Sequence, residues 1–87
     1  MILCSGCFDG LHAGHVAYLR YAAGLREGGE SLVVAVAPDA YIRRVKGREP
    51  YWPAADRLTT VDALDMVHHT TVHAEDGVAD VVQRLRP

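Results

Sequence analysis

Two cysteines, Cys4 and Cys7, stand just ahead of two histidines, His12 and His15, with Gly6, Gly10 and Gly14 spaced among them in "CSGCFDGLHAGH". Residues of these types could do three kinds of chemistry. Thiolates and imidazoles could hold zinc, a C-x-x-C pair could exchange thiol for disulfide, and a glycine-rich turn running into a helix could hold phosphate.

The spacing and surroundings discriminate among the three. A finger-like zinc site separates its Cys and His pairs by roughly 12–15 residues, whereas four residues separate Cys7 from His12. A reactive C-x-x-C sets its first thiol at a helix N-terminus, which lowers the thiol pKa. Cys4 falls instead within the apolar run Met1 to Ser5, which reads as a buried strand ending at Gly6. The phosphate reading needs a strand, a glycine-rich turn and a helix start, and all three are present, with a helix expected to begin at or near His15. Such a junction aims backbone N–H groups and the positive end of the helix dipole at one spot. His12 and His15 can reach that spot and donate hydrogen bonds to phosphate oxygens as charge grows on them.

The elements that must position this turn are legible from periodicity. Val16, Leu19 and Ala23, with Tyr18, Ala22 and Leu25, recur at helical spacing until Gly28-Gly29 stops the pattern. "SLVVAVA", residues 31 to 37, is a continuous β-branched strand closed by Pro38, of the kind buried on both faces of a parallel sheet. Residues 38 to 54 read as irregular, with a short helical turn near Asp39 to Arg44 followed by a loop. Asp56 to Met66 resumes helical spacing, and "MVHHTTVH" reads as a third strand whose histidines are strand and loop residues. Asp76-Gly77 is expected to cap a last helix carrying Val78, Val81, Val82 and Leu85 on one face. The alternation implies a parallel sheet with right-handed crossovers: one doubly wound α/β domain over residues 1–87.

Composition narrows the class of function. Nine basic against 11 acidic side chains give a net charge of −2, and no basic stripe is visible, so nucleic-acid binding is not expected. The apolar run Leu32 to Ala37 is too short to span a bilayer, and no signal-peptide pattern opens the chain. Two cysteines do not make a disulfide framework, so a cytoplasmic location without membrane partners is the expectation.

"GCFDGLHAGHVAYL" resembles the G-x-F-D-x-x-H-x-G-H-x-x-x-L signature of the cytidylyltransferase-like nucleotidyltransferases. "LVVAVAPDAYIRRVKG" is similar to the second strand and Lys-containing segment of that family, and "PAADRLTTVDALDMVHHTTV" to its next helix and strand. The same pattern marks the adenylyltransferase domain of ADP-heptose synthase and the glycerol-3-phosphate and ethanolamine-phosphate cytidylyltransferases.

The resemblance implies a Rossmann-like three-layer α/β/α fold, here with about three strands in the order 3-2-1. It implies transfer of a nucleoside monophosphate from CTP or ATP to a phosphorylated sugar or alcohol, with pyrophosphate leaving and Mg²⁺ assisting. His12 and His15 would then bind the triphosphate and stabilise the transition state, and Gly6, Cys7, Phe8 and Asp9 would supply backbone contacts. Gly14 would leave room for the nucleotide, and Lys46 and Arg57 match the family's phosphate-binding lysine and helix-start arginine. Arg43, Arg44 and Arg48 read as solvated charges. In the family, a Pro at the place of Pro87 leads into a fourth strand, a fifth, and a Ser/Thr-rich segment that also touches the triphosphate. Without these, one wall of the nucleotide site is expected, and the alternative to a working transferase is a nucleotide-binding or assembly module with impaired catalysis. A homodimer or other association is expected to cover the edge of strand 1.

Overall fold

The structure is a computed structural model that describes residues 1–75 and 77–79 of the chain. Three parallel strands, β1 (Ile2–Gly6), β2 (Leu32–Val36) and β3 (His69–Val72), form one sheet in the order β1-β2-β3. Cys4 stands beside Val34 in the first ladder, and Val34 beside Thr70 in the second. β2 is central and its five residues are all buried, as its unbroken apolar run predicts for a strand enclosed on both faces. This is the three-stranded Rossmann-like α/β unit the sequence leads one to expect.

The helices are α1 (Ala13–Gly24), α2 (Asp39–Lys46) and α3 (Ala54–Asp62). Leu19 and Ala22 of α1 and Val61 of α3 pack with Cys4, Phe8, Leu32, Val34 and Val36 in one core cluster. Burying an aliphatic side chain of this size stabilises by about 1.5–3 kcal/mol, so this face fixes both helices against the sheet. None of the helices is long and apolar enough to cross a membrane, among the described residues.

The element boundaries differ from the sequence reading where a local hydrogen bond outweighs periodicity. α1 begins at Ala13 rather than near His15, because His12 itself caps the helix. It ends at Gly24, four residues ahead of the Gly28-Gly29 stop, and the N–H groups of Leu25 and Arg26 close the last turn on Ala22 and Ala23. Glycine is a poor helix former, and the helix gives way at Gly24, the first glycine after its opening turn. The expected turn near Asp39 is an eight-residue helix that reaches Lys46 and is closed by Gly47 in the left-handed conformation, φ 68°. α3 starts directly after Pro53, two residues earlier than its apolar periodicity shows, and β3 is shorter than "MVHHTTVH". The last expected helix lies mostly on Asp76 and residues 80–87, outside the described residues.

Candidate phosphate site at the start of α1

β1 ends at Gly6, and the chain turns through residues 7–11 into the N-terminus of α1. Phe8 sits in this turn at φ 51°, a conformation costly for a bulky residue, and its ring is buried at 3% exposure. The ring explains Gly6: a Cβ there would lie 2.9 Å from Phe8 Cε2. The Phe8 ring in turn lies 5.3 Å from that of His15, so the core supports the histidine from below. Gly10, at φ 98°, completes the turn.

The two histidines hold one another and the helix start. The Gly14 N–H donates to His12 Nδ1 at 3.0 Å, and the His12 N–H donates to His15 Nδ1 at 3.1 Å. A backbone N–H can only donate, so each Nδ1 is an unprotonated acceptor and each neutral ring carries its proton on Nε2. The rings stack at 3.9 Å between centroids. Burial, and then the neighbouring His12, lower the His15 pKa below the usual histidine value. The pair therefore presents two neutral Nε2–H donors at the positive end of a helix dipole.

A cavity of about 340 Å³ opens over this pair. It brings together His12, His15, Lys46, Gly6, Cys7, Phe8 and Asp9 of the expected set. Lys46 reaches it from the last turn of α2 rather than from a loop, and its ammonium has no hydrogen bond or ion pair among the described residues. Gly14 does not line the cavity. The room it leaves is filled by His12, whose Cε1 would stand 2.8 Å from a Cβ at position 14.

Among the further lining residues, Arg48 and Tyr18 escape the sequence reading as site residues. Arg48, expected as a solvated charge, donates to Asp9 Oδ2 at 3.0 Å and lies over the Tyr51 ring at 4.2 Å. Asp9 also accepts from the N–H groups of Tyr51 at 2.9 Å and Trp52 at 3.0 Å. Burial raises the Asp9 pKa, but these three donors outweigh it, and the carboxyl sits below its ordinary value. The Asp9 side chain thus fastens the β1–α1 turn to the loop between α2 and α3. Tyr18 lies one helical turn beyond His15; burial, and then its hydrogen bond with Cys4, push its phenol pKa up.

Arg57 stands apart from the histidine pair and is 1% exposed. Its Nε donates to the Trp52 carbonyl at 2.8 Å, Nη1 to those of Cys7 at 2.8 Å and Ala37 at 2.6 Å, and Nη2 to Asp39 Oδ1 at 2.7 Å. The ends of β1 and β2 and the starts of α2 and α3 are thereby tied to one guanidinium. The resemblance implies a ligand contact for Arg57; in the structure its guanidinium is engaged by these four acceptors and does not line the histidine cavity. Neither cysteine is in a disulfide, and the described residues hold no group of three or more His, Cys, Asp or Glu side chains arranged for a metal.

Comparison with known proteins identifies the family. Residues 3–87 match the model of the cytidylyltransferase-like family, and the chain belongs to that family. Over 88 aligned positions it is 44% identical to the bifunctional protein HldE of Halorhodospira halophila and 41% identical to that of Alkalilimnicola ehrlichii. Each alignment covers 100% of this chain and 18% of the relative, so the chain spans less than one fifth of the length of these proteins. The crystal structure of the lipopolysaccharide core biosynthesis protein from Thermoplasma volcanium superposes with a TM-score of 0.85 at 32% identity. That match covers 98% of this chain and 66% of the other.

Proposed function

We propose that the chain carries the triphosphate-holding wall of a nucleotidyltransferase site, which passes a nucleoside monophosphate from ATP or CTP to a phosphorylated sugar or alcohol. The observation that carries this reading is the histidine pair with both Nδ1 atoms fixed as acceptors and both Nε2–H groups left to donate. An acceptor phosphate oxygen attacks the α-phosphate in line; the new O–P bond forms as the bond to the β-phosphate oxygen breaks, and pyrophosphate leaves. The acceptor phosphate is already ionised, so no general base is required. His12 and His15 donate to phosphate oxygens, and Lys46 and Arg48 add positive charge at the rim of the cavity. The pattern shared with the adenylyltransferase domain of ADP-heptose synthase favours ATP and a sugar phosphate.

Mg²⁺ is implied by the family, but the described residues do not fit a protein-held ion. The carboxylate lining the cavity, Asp9, is 4% exposed and engaged by three donors. No step is therefore assigned to a metal.

A second reading is a nucleotide-binding or assembly module without turnover. Thermal shift with ATP and CTP, followed by pyrophosphate release with sugar phosphates, separates the two. Turnover that is lost in His15→Ala supports the enzyme; a ligand-raised melting temperature without pyrophosphate supports the module; neither response removes both. We further propose that a second copy or another chain covers the free edge of β1, which pairs with β2 alone among the described residues. Light scattering at high micromolar concentration is expected to give a mass above that of the monomer, and a monomer there would overturn it.

A further inference from the structure

We infer that the cavity beside the phosphate site, walled by Trp52, Phe8, Leu11 and Asp56, receives the sugar ring of the phosphorylated acceptor. This rests on the nucleotidyltransferase reading and deepens it. The cavity measures about 370 Å³ and shares Phe8 and Gly10 with the histidine cavity, so one molecule can place its phosphate in the first and its body in the second. That size lies within the range of small-molecule pockets, roughly 300–1,000 Å³.

The Trp52 side of the cavity is built rather than incidental. The Trp52 N–H is held by Asp9 Oδ1 at 3.0 Å and its carbonyl by Arg57 Nε at 2.8 Å, so both backbone groups are fixed by side chains, and Asp9 also lines the histidine cavity. The residue nevertheless stays 55% exposed. A large aromatic on a pinned backbone, open to solvent beside a phosphate site, is a platform for the apolar face of a ring.

The lining also carries the polar groups a sugar needs. Asp56, on the first turn of α3, lines the cavity and makes no side-chain hydrogen bond or ion pair among the described residues. A free carboxylate accepts hydrogen bonds from hydroxyls and repels phosphate. Thr60 donates its hydroxyl proton to the Arg57 carbonyl and keeps its lone pairs for a further donor. Among the described residues Asp56 is the uncommitted carboxylate here, while Arg57, which also lines this cavity, is 1% exposed and spent on four hydrogen bonds. In the histidine cavity Lys46 is the uncommitted cation and Asp9 is engaged by three donors. The pairing matches a molecule anionic at one end and hydroxylated at the other. A purine or pyrimidine would gain the stacking but not the use of Asp56 as an acceptor from several hydroxyls.

Trp52 is the single tryptophan of the chain, so its emission reports this cavity without a label. Titration with mannose 1-phosphate and glucose 1-phosphate is expected to change Trp52 emission saturably, while inorganic phosphate binds without changing it. Trp52→Leu and Asp56→Asn, read by calorimetry, are each expected to weaken hexose 1-phosphate binding at least tenfold more than they weaken ATP binding. Far-UV circular dichroism verifies the fold of both variants. If ATP binds wild type by calorimetry and the hexose phosphates leave the emission unchanged, the subsite assignment falls and the nucleotidyltransferase reading stands. If ATP or CTP alone shifts the emission, the cavity takes the base and the assignment falls. An emission that shifts with protein concentration in the absence of ligand assigns the cavity to a second copy and overturns it as well. Failure of ATP, CTP and hexose phosphates to bind at all removes the parent reading with it.

Discussion

His12 and His15 are locked together through the backbone: the His12 N–H donates to His15 Nδ1 at 3.1 Å, while His12 Nδ1 takes the Gly14 N–H at 3.0 Å. Each ring thus caps α1 with Nδ1 and leaves Nε2–H to donate, in the proposed function to a phosphate oxygen. The two roles can be separated by substitution. Asn at position 15 can keep an acceptor near the Nδ1 position but has no group at Nε2, whereas Ala loses both. His15→Asn is expected to retain most of the stability yet lose pyrophosphate release by about 10²-fold or more, the scale of a lost transition-state donor. His15→Ala is expected to lose the activity and about 1 kcal/mol of stability with the cap. Denaturant midpoints alongside pyrophosphate assays test the pair; equal stability of the two variants would remove the cap from the account.

The same geometry sets a pH dependence. Protonating Nδ1 of either ring breaks a bond from a backbone N–H and places a cation at the positive end of α1. Burial and then His12 lower the His15 pKa in the folded chain below 6.5. The unfolded state therefore takes up the proton first, so this contribution to stability is full above the unfolded value and shrinks as pH falls through it. The loss levels off once the folded ring also protonates. Denaturant midpoints are expected to fall between about pH 7.5 and pH 5, with the slope reduced in His15→Asn. The Asp9 contribution, whose pKa is lowered in the fold, is lost as pH falls from the ordinary carboxylate range through the lowered folded value, so the two windows are distinct.

Gly14 makes a prediction of opposite signs. Alanine is the better helix former by about 1 kcal/mol, and position 14 lies in the first turn of α1. Its Cβ would, however, stand 2.8 Å from Cε1 and 3.0 Å from Nδ1 of His12, so the ring must leave its place. Gly14→Ala is expected to change the melting temperature by only a few degrees, about the effect of 1 kcal/mol or less, while nucleotide affinity falls at least tenfold. Thermal melts and calorimetry with ATP check this. Unchanged affinity would show that His12 is not needed where it stands.

Much of this was readable before any coordinates. The unbroken Leu32–Val36 run could only be a central strand, and strand, glycine turn and H-x-G-H spacing point to the junction over which the cavity opens. Charges whose partners are distant in sequence were not legible. Arg48 looks solvated in "VKGREPYW", yet it pairs with Asp9, 39 residues away. Arg57 looks like an ordinary first-turn arginine, yet it binds carbonyls 50 and 20 residues back. Periodicity reports which face is buried; it carries no information on which carbonyls converge at the ends of two parallel strands. His12 as a helix cap was equally hidden, since Ser, Thr, Asp and Asn are the residues that signal that position.

Arg57 gives the sharpest test of that hidden layer. Four of its hydrogen bonds reach Trp52, Cys7, Ala37 and Asp39, joining the phosphate turn, the end of β2 and both later helices. Lysine carries the charge but has three donors on one nitrogen and cannot span this fork. Arg57→Lys leaves carbonyls of Cys7, Ala37 or Trp52 without a partner in a buried setting, at about 1–3 kcal/mol for each such group. The expected loss is about 2–4 kcal/mol, a large part of the stability of a domain this small, and Asp39→Asn should cost less because its carboxylate is partly exposed. If Arg57 acted on the ligand instead, Arg57→Lys would lower nucleotide affinity while leaving the denaturant midpoint near wild type. A midpoint that falls sharply, with affinity in the remaining folded fraction close to wild type, is the outcome this structure requires.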